Sequence, residues 1–289
     1  MVNWMNILAL GVIGAGLSVL ILSRRASATP TQPTQPTQPQ LLLSGTYKGY
    51  GNIYSPEIVG NKMYFSGWHN DQDYPFDAIY QTDLYNIKNV KRLLQFNDIQ
   101  LADPSIIGNK MFFTYSPDPT DQTKQKIAVS TYNGTIWSNP EMVIEKAWLP
   151  SAVNVAGNTF IYYTDASIGS VKLFRATLAG NVVIDTKLTT FLSKPDFYPV
   201  NVCVQYYEPY YVLLGDYWYN GIYSIGMWVS IDGVNFIEYE KNPIIMPSGD
   251  NIIARTPFFI KEGNLLKIWY AQQKTDWWMN SIYYVEVIT

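Results

Sequence analysis

The sequence predicts an all-β fold, a five-bladed β-propeller, preceded by one N-terminal transmembrane helix and a Pro-rich stalk. The first of three observations is a set of X-Pro dipeptides in register: Ser55-Pro56, Asp103-Pro104, Leu149-Pro150, Tyr198-Pro199 and Thr256-Pro257, spaced by 48, 46, 49 and 58 residues. The second is the pattern after each dipeptide: an apolar strand-like run, a short turn and a run rich in aromatic and β-branched residues. Repeats of roughly 50 residues with several strands per copy match a propeller blade. The third is that the last copy stops one strand short, while an unassigned strand stands before the first.

Residues 4–22 are uncharged, and ILALGVIGAGLSVLIL (7–22) contains one serine as its only polar residue. That length lies near the lower limit for a helix crossing a bilayer. Arg24 and Arg25 follow the apolar run instead of preceding it. A cleaved signal peptide normally carries positive charge ahead of its core, so residues 1–25 read as a retained single-pass anchor. Ala26-Ser27-Ala28 still resembles a cleavage site. Gly11, Gly14 and Gly16 allow close approach of two anchor helices, a route to a homo-oligomer. Residues 26–40 hold the repeat TPTQPTQPTQPQ, whose regularly spaced prolines favour extended polyproline II and make a semi-rigid stalk. The propeller is assigned to residues 41–289.

The clearest copies are SPEIVGNKMYFSG (55–67) and DPSIIGNKMFFTYS (103–116). Weaker copies are LPSAVNVAGNTFIYYTD (149–165), YPVNVCVQYYEPYYVLLGD (198–216) and TPFFIKEGNLLKIWYAQ (256–272). A second hairpin comes next in each, with Asn133-Gly134 and Asp232-Gly233 as turn dipeptides that accept positive φ. Each blade therefore has four antiparallel strands. The fifth ends at its third, IYYVEVI (282–288), so LLLSGTYKG (41–49) supplies the fourth and removes an open sheet edge.

Strand order places the X-Pro dipeptides and the loops between second and third strands at one end. Those loops are GWHNDQDYPFD (67–77), SPDPTDQTKQ (116–125), TDASIGS (164–170), GDYWYNG (215–221) and QQKTDWWMNS (272–281). Each contains aspartate and three contain tryptophan, which makes this end the candidate working face. Pyranose rings present C–H faces that pack on flat aromatic surfaces, and their hydroxyls take carboxylate and amide partners. Trp68, Trp218, Trp277 and Trp278 offer the first, and His69, Asp71, Asp73, Asp216, Asp276 and Arg255 the second.

Composition excludes several classes. A net charge of −3 with only 15% charged residues gives no basic surface for nucleic acid. Cys203 is the only cysteine, so no intrachain disulfide forms, and its apolar surroundings in sequence mark it as a core residue. His69 is the only histidine, which excludes a multi-histidine zinc site. Asp71, Asp73 and Asp77 offer oxygen donors, but their spacing matches no standard calcium loop, so no cofactor is indicated.

The segments DPSIIGNKMFFTYS, GMWVSIDGVNFIEYEKNPII (226–245) and ARTPFFIKEGNLLKIWYA (254–271) resemble five-bladed glycosidase-like proteins of glycoside hydrolase families 43, 32 and 130. The resemblance implies a funnel that binds glycans and, in an active member, carboxylates from separate blades acting as general acid and as base or nucleophile. At the X-Pro positions only Asp103 is a carboxylate; Ser55 stands where the family pattern has its base, and Leu149 opens a third blade without a glutamate. The expectation is a membrane-anchored propeller on a cell or virion surface, recognising glycans or glycoproteins as an attachment head, with degenerate catalytic positions. An active glycosidase would use Asp103 with Glu57 or Asp165. An assembly role is the remaining alternative.

Overall fold

The computed structural model describes residues 37–45, 51–68, 76–94, 96, 98–165, 171–192, 198–274 and 280–289. The anchor and most of the stalk lie outside these residues. Among the described residues no helix is long and apolar enough to cross a membrane.

The chain begins with β1 (Gln40–Leu43) and then builds four-stranded antiparallel sheets in sequence order. Blade one is β2 (Tyr54–Val59), β3 (Lys62–Gly67), β4 (Ala78–Asp83) and β5 (Asn86–Leu94). Blade two is β6 (Gln100–Ile107), β7 (Lys110–Ser116), β8 (Lys126–Thr131) and β9 (Glu141–Glu145). Blade three is β10 (Ala147–Val155), β11 (Asn158–Asp165), β12 (Leu173–Ala179) and β13 (Val182–Leu188). The short β14 (Thr190–Phe191) crosses to pair in parallel with the outer strand of blade four, which is β15 (Val200–Tyr207), β16 (Tyr210–Tyr219), β17 (Ile222–Ser230) and β18 (Asn235–Glu238). Blade five is β19 (Ile253–Glu262), β20 (Leu265–Gln273) and β21 (Asn280–Ile288).

The first strands form the hub. β2, β6, β10, β15 and β19 pack each against the next, and β19 packs against β2, which closes a ring of five. Each passes to its second strand through a two-residue turn, with Gly60, Gly108, Gly157 and Gly263 adopting the positive φ that such tight reversals need. Apolar side chains fill the spaces between neighbouring blades. Ile79, Met111 and Phe113 join blades one and two, Phe112 and Ile161 blades two and three, and Tyr162, Leu213 and Trp228 blades three and four.

The missing strand of blade five comes from the N-terminal side, as expected. β1 pairs antiparallel with β21, matching Leu41 to Tyr283 and Leu43 to Ile282. Contacts begin earlier, inside the Pro-rich segment: the Thr37 N–H donates to the Glu286 carbonyl at 3.0 Å, and its hydroxyl accepts from the Glu286 N–H at 2.9 Å.

Two expected hairpins differ: β17 and β18 are joined by the four residues 231–234 and not by Asp232-Gly233 alone. Asn133-Gly134 is not a two-residue turn; β8 and β9 are joined by residues 132–140, where Asn133 Oδ1 accepts from the N–H groups of Thr135 and Ile136. The side chain competes for the backbone donors a tight hairpin would have paired.

Leu43 is 2% exposed whereas Leu41 is 51% exposed. Leu43→Ala is therefore expected to lose about 2–5 kcal/mol, lowering the melting temperature by roughly 5–15 °C. Leu41→Ala should melt like the parent chain, and equal melting of the two variants would contradict closure through β1.

Candidate functional site

Each hub strand is interrupted at the same place. Ser55, Asp103, Leu149, Asn201 and Thr256 adopt left-handed backbone, with φ of 48°, 56°, 55°, 50° and 49°. Pairing with the second strand slips at each: between Tyr54 and Glu57, Ala102 and Ser105, Trp148 and Ser151, Val200 and Cys203, and Arg255 and Phe258. These are five bulges in equivalent positions, and they turn the left-handed lead residues toward the propeller axis. Four are followed by proline. The residue after the lead sits inside the bulge, where no ladder hydrogen bond needs its N–H, so proline is tolerated there. The fourth blade corrects the expected register: its lead residue is Asn201, followed by Val202, and Tyr198-Pro199 lies three residues earlier in the approach to β15.

Two hydrogen-bond series tie the blades together at this level. In the first, an oxygen on the second strand of one blade accepts the N–H of the next lead residue. Ser66 Oγ receives Asp103 N–H at 2.7 Å, Thr114 Oγ1 receives Leu149 N–H at 2.9 Å, and Asp216 Oδ1 receives Thr256 N–H at 3.1 Å. Blade five has Ala271 at that register, and the Ser55 N–H turns to Thr256 Oγ1 at 3.2 Å instead. In the second series, which runs through blades one to four, the side chain two residues after the lead accepts an N–H from the next hub strand. Glu57 Oε1 receives Ile106 N–H at 3.0 Å, Ser105 Oγ receives Ala152 N–H at 2.9 Å, and Ser151 Oγ receives Val204 N–H at 2.8 Å. Cys203 continues the series toward Phe259 N–H.

The lead residues, the bulge residues and Glu57, Ser105, Ser151 and Cys203 enclose an axial cavity of about 40 Å³, room for a few water molecules. Asp103 lines it, and Asp216 stands behind the lining residues Asn201 and Thr256. Asp103 Oδ1 accepts from the Ser55 hydroxyl at 2.6 Å, and Oδ2 from the Thr114 hydroxyl at 2.9 Å. Asp216 accepts from Thr256 N–H through one oxygen and from the Asn201 amide through the other. Beside them, Asp77 Oδ2 accepts from the Tyr54 hydroxyl at 2.8 Å and from the Gln100 amide at 3.0 Å.

Burial dominates the acid–base character of this cluster. It raises Asp216 to about 7 against the lowering effects of Asn201 and Arg255, and it raises Asp103 despite two hydroxyl donors. Glu57, with one opposing backbone N–H, is pushed to about 8. Cys203 is pushed well up by burial and by the nearby Glu57, an inert thiol as its position in the core implied.

The structure thus brings together Asp103, Asp216 and Arg255 from the predicted set. Glu57 lines the cavity with Asp103, but it occupies the linking position held by Ser105, Ser151 and Cys203 in other blades. Asp165 ends β11 and does not line the cavity. The Trp68 indole lies over the Gly51 backbone, where an added β-carbon would stand 2.2 Å from the ring. His69, Asp71, Asp73, Asp276, Trp277 and Trp278 lie outside the described residues. The acids Asp118 and Asp121 on the loop before β8 are engaged locally by Thr120, Thr123 and Lys124. Among the described residues no group of three or more His, Cys, Asp or Glu side chains is placed to hold a metal.

Trp218 is positioned by strand periodicity. It stands two residues beyond Asp216 on β16, hence on the same face and about 7 Å further along the strand. It is 53% exposed and meets Tyr223 of β17 edge to face at 4.6 Å. Sequence reading missed Asn201, Tyr54 and Thr114. Of these only Asn201 left a signal, lying 52 residues after Leu149 and 55 before Thr256, closer to the repeat than Tyr198.

No protein-family model matches the chain, and no curated protein matches it in sequence. Solved structures share its fold. The catalytic domain of a GH62 α-L-arabinofuranosidase from Coprinopsis cinerea superposes with a TM-score of 0.63 at 10% identity, over 88% of this chain and 96% of that one. An endo-1,4-β-xylanase from Bacteroides thetaiotaomicron gives 0.59 at 16% identity, over 83% and 96%. An α-L-arabinofuranosidase from Podospora anserina, in complex with cellotriose, gives 0.60 at 11% identity, over 88% and 96%. The five-bladed propeller of glycoside hydrolases is therefore the fold of this chain.

Because Glu57 and Asp216 are held above their ordinary values, the folded chain binds more protons than the unfolded one. Their stabilisation is fully present below the unfolded carboxylate range and is lost as pH rises through about 7 and 8, by roughly 1.4 kcal/mol per pH unit for each group within its window. The chain should melt lower at pH 8.5 than at pH 5. Glu57→Gln keeps an oxygen for Ile106 N–H and cannot ionise, so its melting temperature should fall less over that range; an unaltered slope would refute the buried-acid assignment.

Proposed function

We propose that this chain is a surface-displayed propeller that recognises glycans at the mouth of its axial cavity and does not hydrolyse them. The observation that carries this reading is the state of Asp103. It is the only carboxylate among the five lead residues, and both of its oxygens are occupied by the hydroxyls of Ser55 and Thr114. A general base needs an oxygen aimed at water or substrate, and a paired-carboxylate hydrolase needs a second such group across the ring. The fold shared with arabinofuranosidases and a xylanase supports a glycan as ligand. Trp218 supports the same reading, as an exposed aromatic surface on the strand face that carries Asp216. Residues 1–36 serve in this proposal as membrane anchor and stalk, holding the head away from a cell or virion surface.

One observation favours hydrolysis as a second reading. Asp216 is raised to about 7, the range of a general acid at neutral pH, and it belongs to a different blade from Asp103. In that reading Asp216 donates the proton to the leaving oxygen and Asp103 acts opposite it.

A glycan-array screen of the full chain, with hits then incubated and assayed for released sugar, separates the readings. Binding without release is expected. Trp218→Ala should weaken binding about tenfold, a loss of about 1.4 kcal/mol, while its melting temperature stays unchanged because half of the ring is already in water. Sugar release abolished by Asp103→Asn would establish the hydrolase, and an array without hits would overturn both.

A further inference from the structure

Arg255 stands beside the axial cavity, one residue before the cavity-lining Thr256. It precedes the lead residue of β19 and is partly buried, and its Nε is shut off from solvent with no hydrogen-bond partner. The guanidinium acts on Tyr54, Asp103 and Asp216 through charge alone. Those neighbours are already engaged: Asp103 by Ser55 and Thr114, Asp216 by Thr256 and Asn201, and the Tyr54 hydroxyl by Asp77. The mouth therefore has acceptors in use and a planar fork of unused donors. Nε is beyond a ligand's reach, but the side chain is only partly buried, so the outer N–H groups are the ones that favour a ligand supplying acceptors. A sugar hydroxyl offers one acceptor to one N–H. A carboxylate offers two coplanar oxygens at the spacing of the fork, and such bidentate pairs are shorter and about twice as strong.

We infer that the glycan taken by this site carries a carboxylate, as in a uronic or sialic acid, and that Arg255 receives it bidentately while Trp218 supports a neighbouring ring. The inference rests on the glycan reading above and narrows its ligand class. Repulsion from the surrounding acids sets its pH dependence. The titratable groups that Arg255 acts on are Tyr54 of β2, Asp103 of β6 and Asp216 of β16. Burial keeps Asp103 and Asp216 protonated further toward neutrality than ordinary carboxylates, so an anionic ligand meets less repulsion at pH 5.5 than at pH 8.

The test uses the full chain in detergent and a panel of uronate- and sialate-containing oligosaccharides, each paired with its methyl ester, plus neutral and sulfated oligosaccharides. Calorimetry should show at least one acid form binding tenfold or more tighter than its ester, with affinity falling from pH 5.5 to pH 8. Arg255→Gln should abolish that preference, and Arg255→Lys, which keeps the charge without the fork, should retain only part of it. Should Arg255→Gln not fold, the acid-against-ester difference in the parent chain and the Lys variant still decide. Equal binding of acid and ester forms, or binding of neutral or sulfated glycans alone, would overturn the carboxylate inference and leave the glycan reading standing. No binding to any glycan would overturn both.

Discussion

Five left-handed residues held in place by neighbouring blades are the constraint on which this propeller depends. Left-handed backbone at a non-glycine residue is strained by about 1–2 kcal/mol, and β-branched Thr256 is an unfavourable case. The strain is sustained because the bulge it creates frees backbone N–H groups that the adjacent blade then accepts. Ser66, Thr114 and Asp216 take the N–H of the next lead residue, and Glu57, Ser105 and Ser151 take the N–H three residues beyond it. Blades that share an apolar wedge alone could slide. Blades that also share these short bonds have one angular register, and the ring closes only when all five agree.

That constraint explains what the sequence disclosed. A bulge tolerates proline because its inner N–H is surplus, so four blades carry an X-Pro mark and the period could be read directly. The requirement itself is a left-handed bulge. Asn201 meets it with a residue that enters left-handed backbone readily, and Val202 comes next in place of proline. Where the mark separated from the requirement, reading by proline chose Tyr198-Pro199 and missed by three residues. Closure by β1 was legible for a different reason: a blade one strand short must find an edge partner, and the segment before blade one was the spare strand.

The site was legible in part. Asp103, Asp216, Arg255 and Trp218 could be placed at one end by strand order alone. The bridging contact of Glu57 was not legible, since chain distance from Asp103 says nothing about the N–H of Ile106, and its equivalence to Ser105, Ser151 and Cys203 exists only once five bulges are superposed. The packing of Trp68 was not legible because nothing in sequence marks Gly51 as the surface beneath its ring. Among the described tryptophans, the exposed Trp218 is set apart by strand alternation: its neighbours Tyr217 and Tyr219 stack on each other on the opposite face, toward Trp228.

The same bonds bear on whether the cavity performs chemistry. Asp103 joins blade two to Ser55 of blade one, Glu57 joins blade one to Ile106 of blade two, and Asp216 joins blade four to Thr256 of blade five. Each acid is therefore a structural bridge at the hub. A general acid or base changes its hydrogen-bond partners in every turnover, giving up a proton and taking one from water or substrate. Here those exchanges would disrupt bonds that hold neighbouring blades in register. Arg255 carries no such duty, since no blade relies on its donors, and Trp218 is bound by no bridge across the hub. Among the described residues of this end, the two least committed to the fold are thus a fixed cation and a flat aromatic, groups that transfer no proton. The recognition role proposed above asks of these residues only what leaves the ring of bridges intact.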